Sequence, residues 1–213
     1  MTRDAEQTIV RTLQDRLPQG LLTAVQDGLV TAGEKAWAEA SGRDAGHLPN
    51  ALGQARHFHS NESFARALDM AKVAHNPLRG NDIIIAQVDS LLLGRFATSN
   101  PKWSNARRST RRLELAAHNH WLERLFQPGF FDPPATNVTM AVFFVSVFSG
   151  SIAVSPERPL TVEIAVMDTT LKERLFCESL PAFLSRYAEP AAQPDMAQVR
   201  LKKAAKKQQD GQA

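Results

Sequence analysis

Residues 138–148 read VTMAVFFVSVF, a run without a single charged side chain. Valine and phenylalanine are typical of strands, and apolar residues at consecutive positions predict a strand that is buried on both faces. A second run, LTVEIAVM at residues 160–167, predicts a neighbouring strand, and PERP at 156–159 predicts the turn before it. These strands place a sheet at the centre of the fold.

Two shorter apolar runs precede the central strand, IIIA at residues 83–86 and LLLGRF at residues 91–96. Val88-Asp89-Ser90 separates the two runs and predicts a tight turn between them, which favours a hairpin of two strands. One long bent strand is the alternative. With the two later runs, the hairpin gives a mixed or antiparallel sheet of about four strands.

The N-terminal third of the chain has helical spacing of its apolar residues. The third helix is expected to begin with Ser60 or Asn61 as its cap, after a loop at 41–50 that is rich in Gly, Pro, Asn and Ser. Helices followed by clustered strands predict an α+β fold, in which a helical N-terminal third precedes a sheet with covering helices. The predicted helices cover about residues 5–17, 20–39, 60–75, 104–126 and 179–187.

Two histidines lie close together in the fourth predicted helix. Residues two apart on a helix are separated by about 200°, so His118 and His120 face different sides. His118 aligns with Leu115 and Leu122, which predicts that it is the buried one of the pair.

The excess positive charge of the chain lies at its C-terminal end. Residues 192–213 hold five lysines and arginines against two aspartates, which accounts for the whole net charge of +3. We therefore expect one domain of residues 1–191 and a flexible basic tail of residues 192–213.

The cellular compartment is suggested by what the sequence lacks. Cys177 is the one cysteine, so no intramolecular disulfide forms, and the N-terminal residues contain no apolar leader. No apolar run approaches the ~20 residues of a membrane helix. These features predict a cytoplasmic protein that does not bind membranes.

The first candidate site is the segment QARHFHSNE at residues 54–62. If this segment is extended, His57 and His59 point to the same side, where they could face one metal ion. Three interpretations stay open: the histidines brace a loop by hydrogen bonds, they have a catalytic or anion-binding role that needs no metal, or they bind a metal ion. We take His57, His59 and Glu62 as the candidate catalytic residues and Arg56 as an anion ligand, with no metal or cofactor assigned.

The His-Phe-His triplet resembles the metal-binding motif of rolling-circle replication and relaxase nucleases. In that family a tyrosine on a helix, with a lysine nearby, is the nucleophile. The single tyrosine here, Tyr187, is followed by AEP and has no lysine beside it. The resemblance therefore does not assign the family.

The second candidate site is the segment KWSNARRSTRR at residues 102–112, which contains no acid before Glu114. Its arginines fall in the first turns of a predicted helix, where positive charge opposes the helix dipole. A bound phosphate would remove this conflict, and Trp103 could stack on a base. The alternative is that the arginines are solvated or pair with acidic side chains. The candidate anion ligands of this segment are Trp103, Arg107, Arg108, Arg111 and Arg112.

Two hypotheses about function remain. The first is an anion- or nucleic-acid-binding protein, with action on phosphodiesters as its enzymatic form and a phosphate-bearing ligand or nucleic acid as its partner. The second is a non-catalytic protein-interaction or adaptor protein, which would meet a protein partner through its sheet edge, its basic tail or the loop around Phe130 and Phe131. If the two basic segments meet in one cleft, the first hypothesis gains support.

Overall fold

The computed structural model describes residues 3–99, 103, 105–122 and 139–187. Three helices come first, as predicted: α1 (Arg3–Arg16), α2 (Gln19–Ala40) and α3 (Leu48–Met70). The strands follow, and the α+β class is confirmed. Among the described residues, no helix has the length and apolar character needed to cross a bilayer. The later elements are β1 (Ala86–Val88), β2 (Leu91–Thr98), α4 (Thr110–Ala116), β3 (Met140–Val147), β4 (Thr161–Met167), β5 (Arg174–Ser179) and a short helix Leu180–Leu184.

The five strands form one mixed sheet in the order β1-β2-β3-β4-β5. β2 and β3 are parallel, and the other neighbours are antiparallel. The estimate of about four strands missed β5, whose sequence RLFCES is short and half polar and so lacks an apolar run. Among the described strands, β2 and β3 form the parallel pair because the chain passes through α4 between them.

The predicted central strand is β3, and all its residues are buried. Phe144 faces the cluster formed with α2 and α3, where it packs against Phe64. Phe143 faces the opposite cluster, which includes Leu115 of α4. Burial on both faces explains why the run 138–148 has no polar alternation.

α3 begins twelve or more residues before the predicted cap at Ser60 or Asn61, because the helix starts at Leu48. Pro49 fits the first helical turn, where its missing N–H has no partner to lose. The predicted loop therefore ends at residue 47, and His57 and His59 lie in the middle of a helix. Ser60 and Asn61 are buried rather than placed at a helix end.

The predicted hairpin is present, with Asp89 in the left-handed region at a φ of 53°. The sequence run 83–86 contributes only its last residue to β1, and Ile83–Ile85 leave the sheet. The division into residues 1–191 and 192–213 stays a prediction, because residues 188–213 lie outside the described part of the chain.

Candidate anion-binding site

A cavity of about 320 Å³ opens at the edge of β2. β1 pairs with β2 only as far as Leu93, so the second half of β2 has no β1 residue beside it. Asn76 binds the segment 83–85 just before β1: its Nδ2 donates to the Ile83 carbonyl at 3.1 Å, and its Oδ1 accepts from the Ile85 N–H at 2.5 Å. The described lining residues are Gly53, His57, Asn81, Ile83, Arg95, Phe96, Ala97, Asn105, Ser109 and Arg112.

Arg95 is a buried cation on the wall of this cavity, with 2% of its surface exposed. Its Nε and Nη2 donate to Asn61 Oδ1 at 3.0 and 2.5 Å, and Nη2 also donates to the His57 carbonyl at 2.6 Å. Among the described residues, no carboxylate forms an ion pair with it. Burial, and secondarily the charge of Arg112, lowers the Arg95 pKa to about 9.

Asn61 orients the Arg95 guanidinium. Its Nδ2 donates to the Asp82 carbonyl at 2.8 Å, which fixes the amide so that Oδ1 faces the arginine. A flipped amide would bring two oxygen atoms together at Asp82 and two nitrogen groups together at Arg95. Asn61 therefore joins α3, β2 and the loop at 80–82 into one rigid wall.

Arg112 approaches the same cavity from the other face of the sheet. Its Nη2 donates to the Asn105 carbonyl at 3.0 Å, and its guanidinium lies 5.1 Å from the centroid of the Phe96 ring. Burial lowers its pKa. Its Nε is buried, and no described residue accepts a hydrogen bond from it. Such an unpaired buried group costs roughly 1–3 kcal/mol.

Asn105 supports this wall from the 3₁₀ turn before α4. Its Nδ2 donates to the Ala97 carbonyl on the open edge of β2 at 2.8 Å. This bond leaves Oδ1 buried without a described partner. Two lining residues of the cavity, Asn105 and Arg112, thus each carry one buried polar atom without a described partner, an acceptor and a donor.

His57 completes the cavity on the α3 side. The pKa of His57 is lowered mainly by burial and next by the positive charge of Arg95. A hydrogen bond with the Asn81 backbone raises the pKa by a smaller amount. The charge of Arg112 also lowers the pKa. The imidazole is therefore neutral at neutral pH. Its Nδ1 lies 3.4 Å from Arg95 Nη2 and its Nε2 lies 3.3 Å from Asn61 Nδ2, so His57 belongs to the same hydrogen-bonded group as Arg95.

The described lining of the cavity is positively charged. Two guanidinium groups face the cavity, and no acidic side chain is among its described lining residues. A buried positive charge without a partner is costly, and an oxyanion is the group that offsets this cost most directly. Guanidinium groups bind carboxylate and phosphate through paired charge-assisted hydrogen bonds.

The two basic segments of the sequence meet here, since His57 comes from the first and Arg112 from the second. The pairing of His57 with His59 at one metal is wrong, because both lie on α3, where residues two apart point in different directions. His59 instead contacts Glu39 at 2.8 Å and Glu62 at 3.6 Å, away from the cavity. Of the three candidate catalytic residues, only His57 lines the cavity.

Arg56 and Trp103 pack against other residues of the protein and are not among the described lining residues of the cavity. Arg56 Nη2 donates to the Pro156 carbonyl at 2.5 Å, and the guanidinium lies 3.7 Å from the centroid of Phe148. Burial lowers the Arg56 pKa to about 10. Trp103 is buried and packs edge-on against Phe96, which leaves its ring without an open face for a base.

The remaining arginines of the second segment lie on the surface. Arg107 and Arg108 belong to the 3₁₀ turn, and Arg111 contacts Glu114 at 3.3 Å. α4 has seven residues and a Ser109 cap that accepts from the Arg112 N–H, so it provides no extended anion-binding N-terminus. The anion-binding role of Arg107, Arg108 and Arg111 stays a prediction.

Sequence reasoning missed Arg95, Asn61 and Asn105. Arg95 did carry a signal, because it is a lone charge inside the apolar strand LLLGRFAT. A charge in a buried strand needs a partner, and this requirement marks it as a candidate site residue. Nothing in the local sequence marks Asn61 or Asn105.

Comparison of the chain with protein-family models, curated proteins and solved structures gives no match. Within the described ranges, no three His, Cys, Asp or Glu side chains come together as metal ligands. Two of the three surfaces named for the protein-interaction hypothesis, the loop around Phe130 and Phe131 and the basic tail, lie outside the described residues, and the sheet edge is the third. The cavity geometry is therefore the basis for assigning a function.

Proposed function

We propose that this protein binds a ligand through an oxyanion group, held in the β2-edge cavity by Arg95 and Arg112. The observation that carries the proposal is the burial of Arg95 without an acidic partner among the described residues. Ordinary buried arginines are paired, and an unpaired one beside a cavity is typical of a binding site.

The geometry favours a phosphate, sulfate or carboxylate group. The Arg95 wall is rigid, because Asn61 and the His57 carbonyl already hold the guanidinium. Such preorganisation limits the entropy lost on binding. A phosphodiester of nucleic acid presents the same chemistry, and the exposed Arg107 and Arg108 support that form of the proposal. Action on phosphodiesters as an enzyme stays a prediction, with His57 as the cavity residue able to exchange a proton.

Thermal unfolding should test the proposal most directly. Sulfate and phosphate should raise the melting temperature relative to chloride at matched ionic strength, because a ligand that binds only the folded state stabilises it by about 2.7 kcal/mol at a hundredfold excess over Kd. Arg112→Met should remove this stabilisation. Arg66→Met is the control, since Arg66 is exposed on α3 and is not among the lining residues of this cavity.

Equal melting temperatures in sulfate, phosphate and chloride would refute the proposal. A short oligonucleotide should be compared with the inorganic anions in the same series. Nucleic-acid binding is supported if the affinity for the oligonucleotide falls steeply as the salt concentration rises and depends on Arg107 and Arg108 as well as Arg112.

Because His57 is neutral in the free protein, we expect anion affinity to depend on pH. Its pKa is lowered in the free protein, and a bound anion would raise it, so binding is coupled to proton uptake. Sulfate affinity should therefore rise as pH falls from about 8 to about 5, by up to about tenfold for each unit by which the anion raises the pKa.

Sulfate is the suitable probe because its own charge is constant over that range. Calorimetric titration at several pH values measures the effect. His57→Gln should flatten the profile while sulfate still binds at high pH. A flat profile in the wild-type protein would contradict contact between His57 and the anion.

A further inference from the structure

A second cavity, of about 390 Å³, adjoins the anion site. The two cavities share Gly53, His57 and Asn81 as lining residues. They therefore form two parts of one groove that runs from β2 across the first turns of α3. We call the part beyond Gly53 the amide subsite. Its described lining is Pro49, Asn50, Gly53, Gln54, His57 and Asn81.

The chemistry of the amide subsite differs from that of the anion site. Asn50, Gln54 and Asn81 carry carboxamides, and none of the described lining side chains is an acid, an arginine or a lysine. A carboxamide donates hydrogen bonds through its NH2 group and accepts them through its oxygen, so it can bind a hydroxyl group, which also donates and accepts. Such a lining suits an uncharged part of a ligand that has several hydroxyl groups.

Gly53 keeps the two parts connected. It is an exposed residue within α3, and a Cβ added there would meet no atom within 4 Å, so the space beside it is open. Glycine is a poor residue for a helix interior, and its presence between two cavities is explained if a ligand passes close to the backbone.

We infer that the groove binds a phosphate ester of a small polyhydroxy compound, such as a sugar phosphate. This inference rests on the proposed anion site, which would hold the phosphate while the amide subsite contacts the hydroxyl groups. Each cavity lies near the lower end of the roughly 300–1,000 Å³ typical of small-molecule sites, so the pair has room for both parts.

Calorimetry with three probes tests the inference: inorganic phosphate, a hexose 6-phosphate and a hexyl phosphate of similar length. The hexose phosphate should bind at least tenfold more tightly than the other two. Asn50→Ala/Gln54→Ala should bring its affinity down to that of inorganic phosphate, whose own affinity should not change. Gln19→Ala, an exposed helical glutamine outside both cavities, is the matched control.

Gly53→Leu is a second variant, chosen because it places a side chain in the groove and suits a helix. It should abolish hexose phosphate binding without lowering the melting temperature, and Gly20→Leu, also in open space on a helix, should have no effect. If inorganic phosphate binds but the hexose phosphate binds no more tightly, or only as tightly as hexyl phosphate, the inference is overturned while the anion site stands. If inorganic phosphate fails to bind, the anion site itself is refuted and the inference with it.

Discussion

Replacing Arg95 with methionine should weaken sulfate binding by at least about a hundredfold, which corresponds to about 2.7 kcal/mol. Removing one member of a buried, hydrogen-bonded charge pair costs 2 kcal/mol or more, and Arg95 is the most buried cation of the cavity. Methionine keeps a long unbranched side chain in the space, so the wall should not collapse. Isothermal titration calorimetry in chloride buffer measures the loss.

The same substitution should leave the free energy of unfolding nearly unchanged in the absence of an anion. Loss of Arg95 removes the cost of a buried unpaired charge but leaves Asn61 Oδ1 without its donor, at roughly 1–3 kcal/mol. The His57 carbonyl loses the bond from Arg95 but stays within the hydrogen-bond ladder of α3. The two effects oppose each other. Urea denaturation compares the variants.

Two further variants make the Arg95 result specific. Arg66→Met removes an exposed arginine of α3 and should not change sulfate affinity. Arg95→Lys keeps the charge but loses the planar fork, so its affinity should lie between the wild type and Arg95→Met. Unchanged sulfate binding in Arg95→Met would show that the anion, if it binds, binds elsewhere.

The fold class could be predicted because β3 and the first two helices carry strong local patterns. An apolar run buried on both faces has few alternatives, and α1 and α2 bury residues at regular helical spacing. β5 was missed because a short strand with polar residues depends on its pairing with β4 for stability. Pairing between distant segments has no local signature.

The start of α3 shows how a local signal can mislead. Ser60 and Asn61 look like a helix cap, since both residue types favour that position. In the structure Asn61 lies inside the helix and uses its side chain for Arg95 and the Asp82 carbonyl. Its polar character serves a long-range contact rather than a helix end, and only the fold reveals the partner.

Some residues of the candidate site could be predicted from the sequence, and others could not. His57 and Arg112 could be predicted, because each lies in a segment unusually rich in its own type of side chain. The centre of the site, Arg95 with Asn61, joins residues 34 positions apart. Such a pair depends on how α3 packs on β2, which the sequence pattern alone does not specify.

A second large effect is expected at Asn119, the neighbour of the two histidines in the fourth predicted helix. His118 was predicted to be buried, but His118 is exposed and Asn119 is fully buried. The reason is that the chain changes from α4 to a 3₁₀ turn at residues 117–119, which alters the direction in which each side chain points.

Asn119 connects this turn to the sheet. Its Nδ2 donates to the Ala141 carbonyl at 3.1 Å and to the Met167 carbonyl at 2.8 Å, and its Oδ1 accepts from the Ala141 N–H at 2.7 Å. One side chain thus satisfies three backbone groups on β3 and β4. Since the site is buried, water does not readily replace these bonds.

Asn119→Ala should therefore lower the free energy of unfolding by about 4 kcal/mol, since each unsatisfied buried group costs roughly 1–3 kcal/mol. Urea denaturation monitored by circular dichroism measures this loss. His118→Ala is the matched control, and its exposed side chain should contribute less than about 0.5 kcal/mol. A loss below about 1 kcal/mol in Asn119→Ala would contradict the three-bond arrangement, because at least one buried group must then have found another partner.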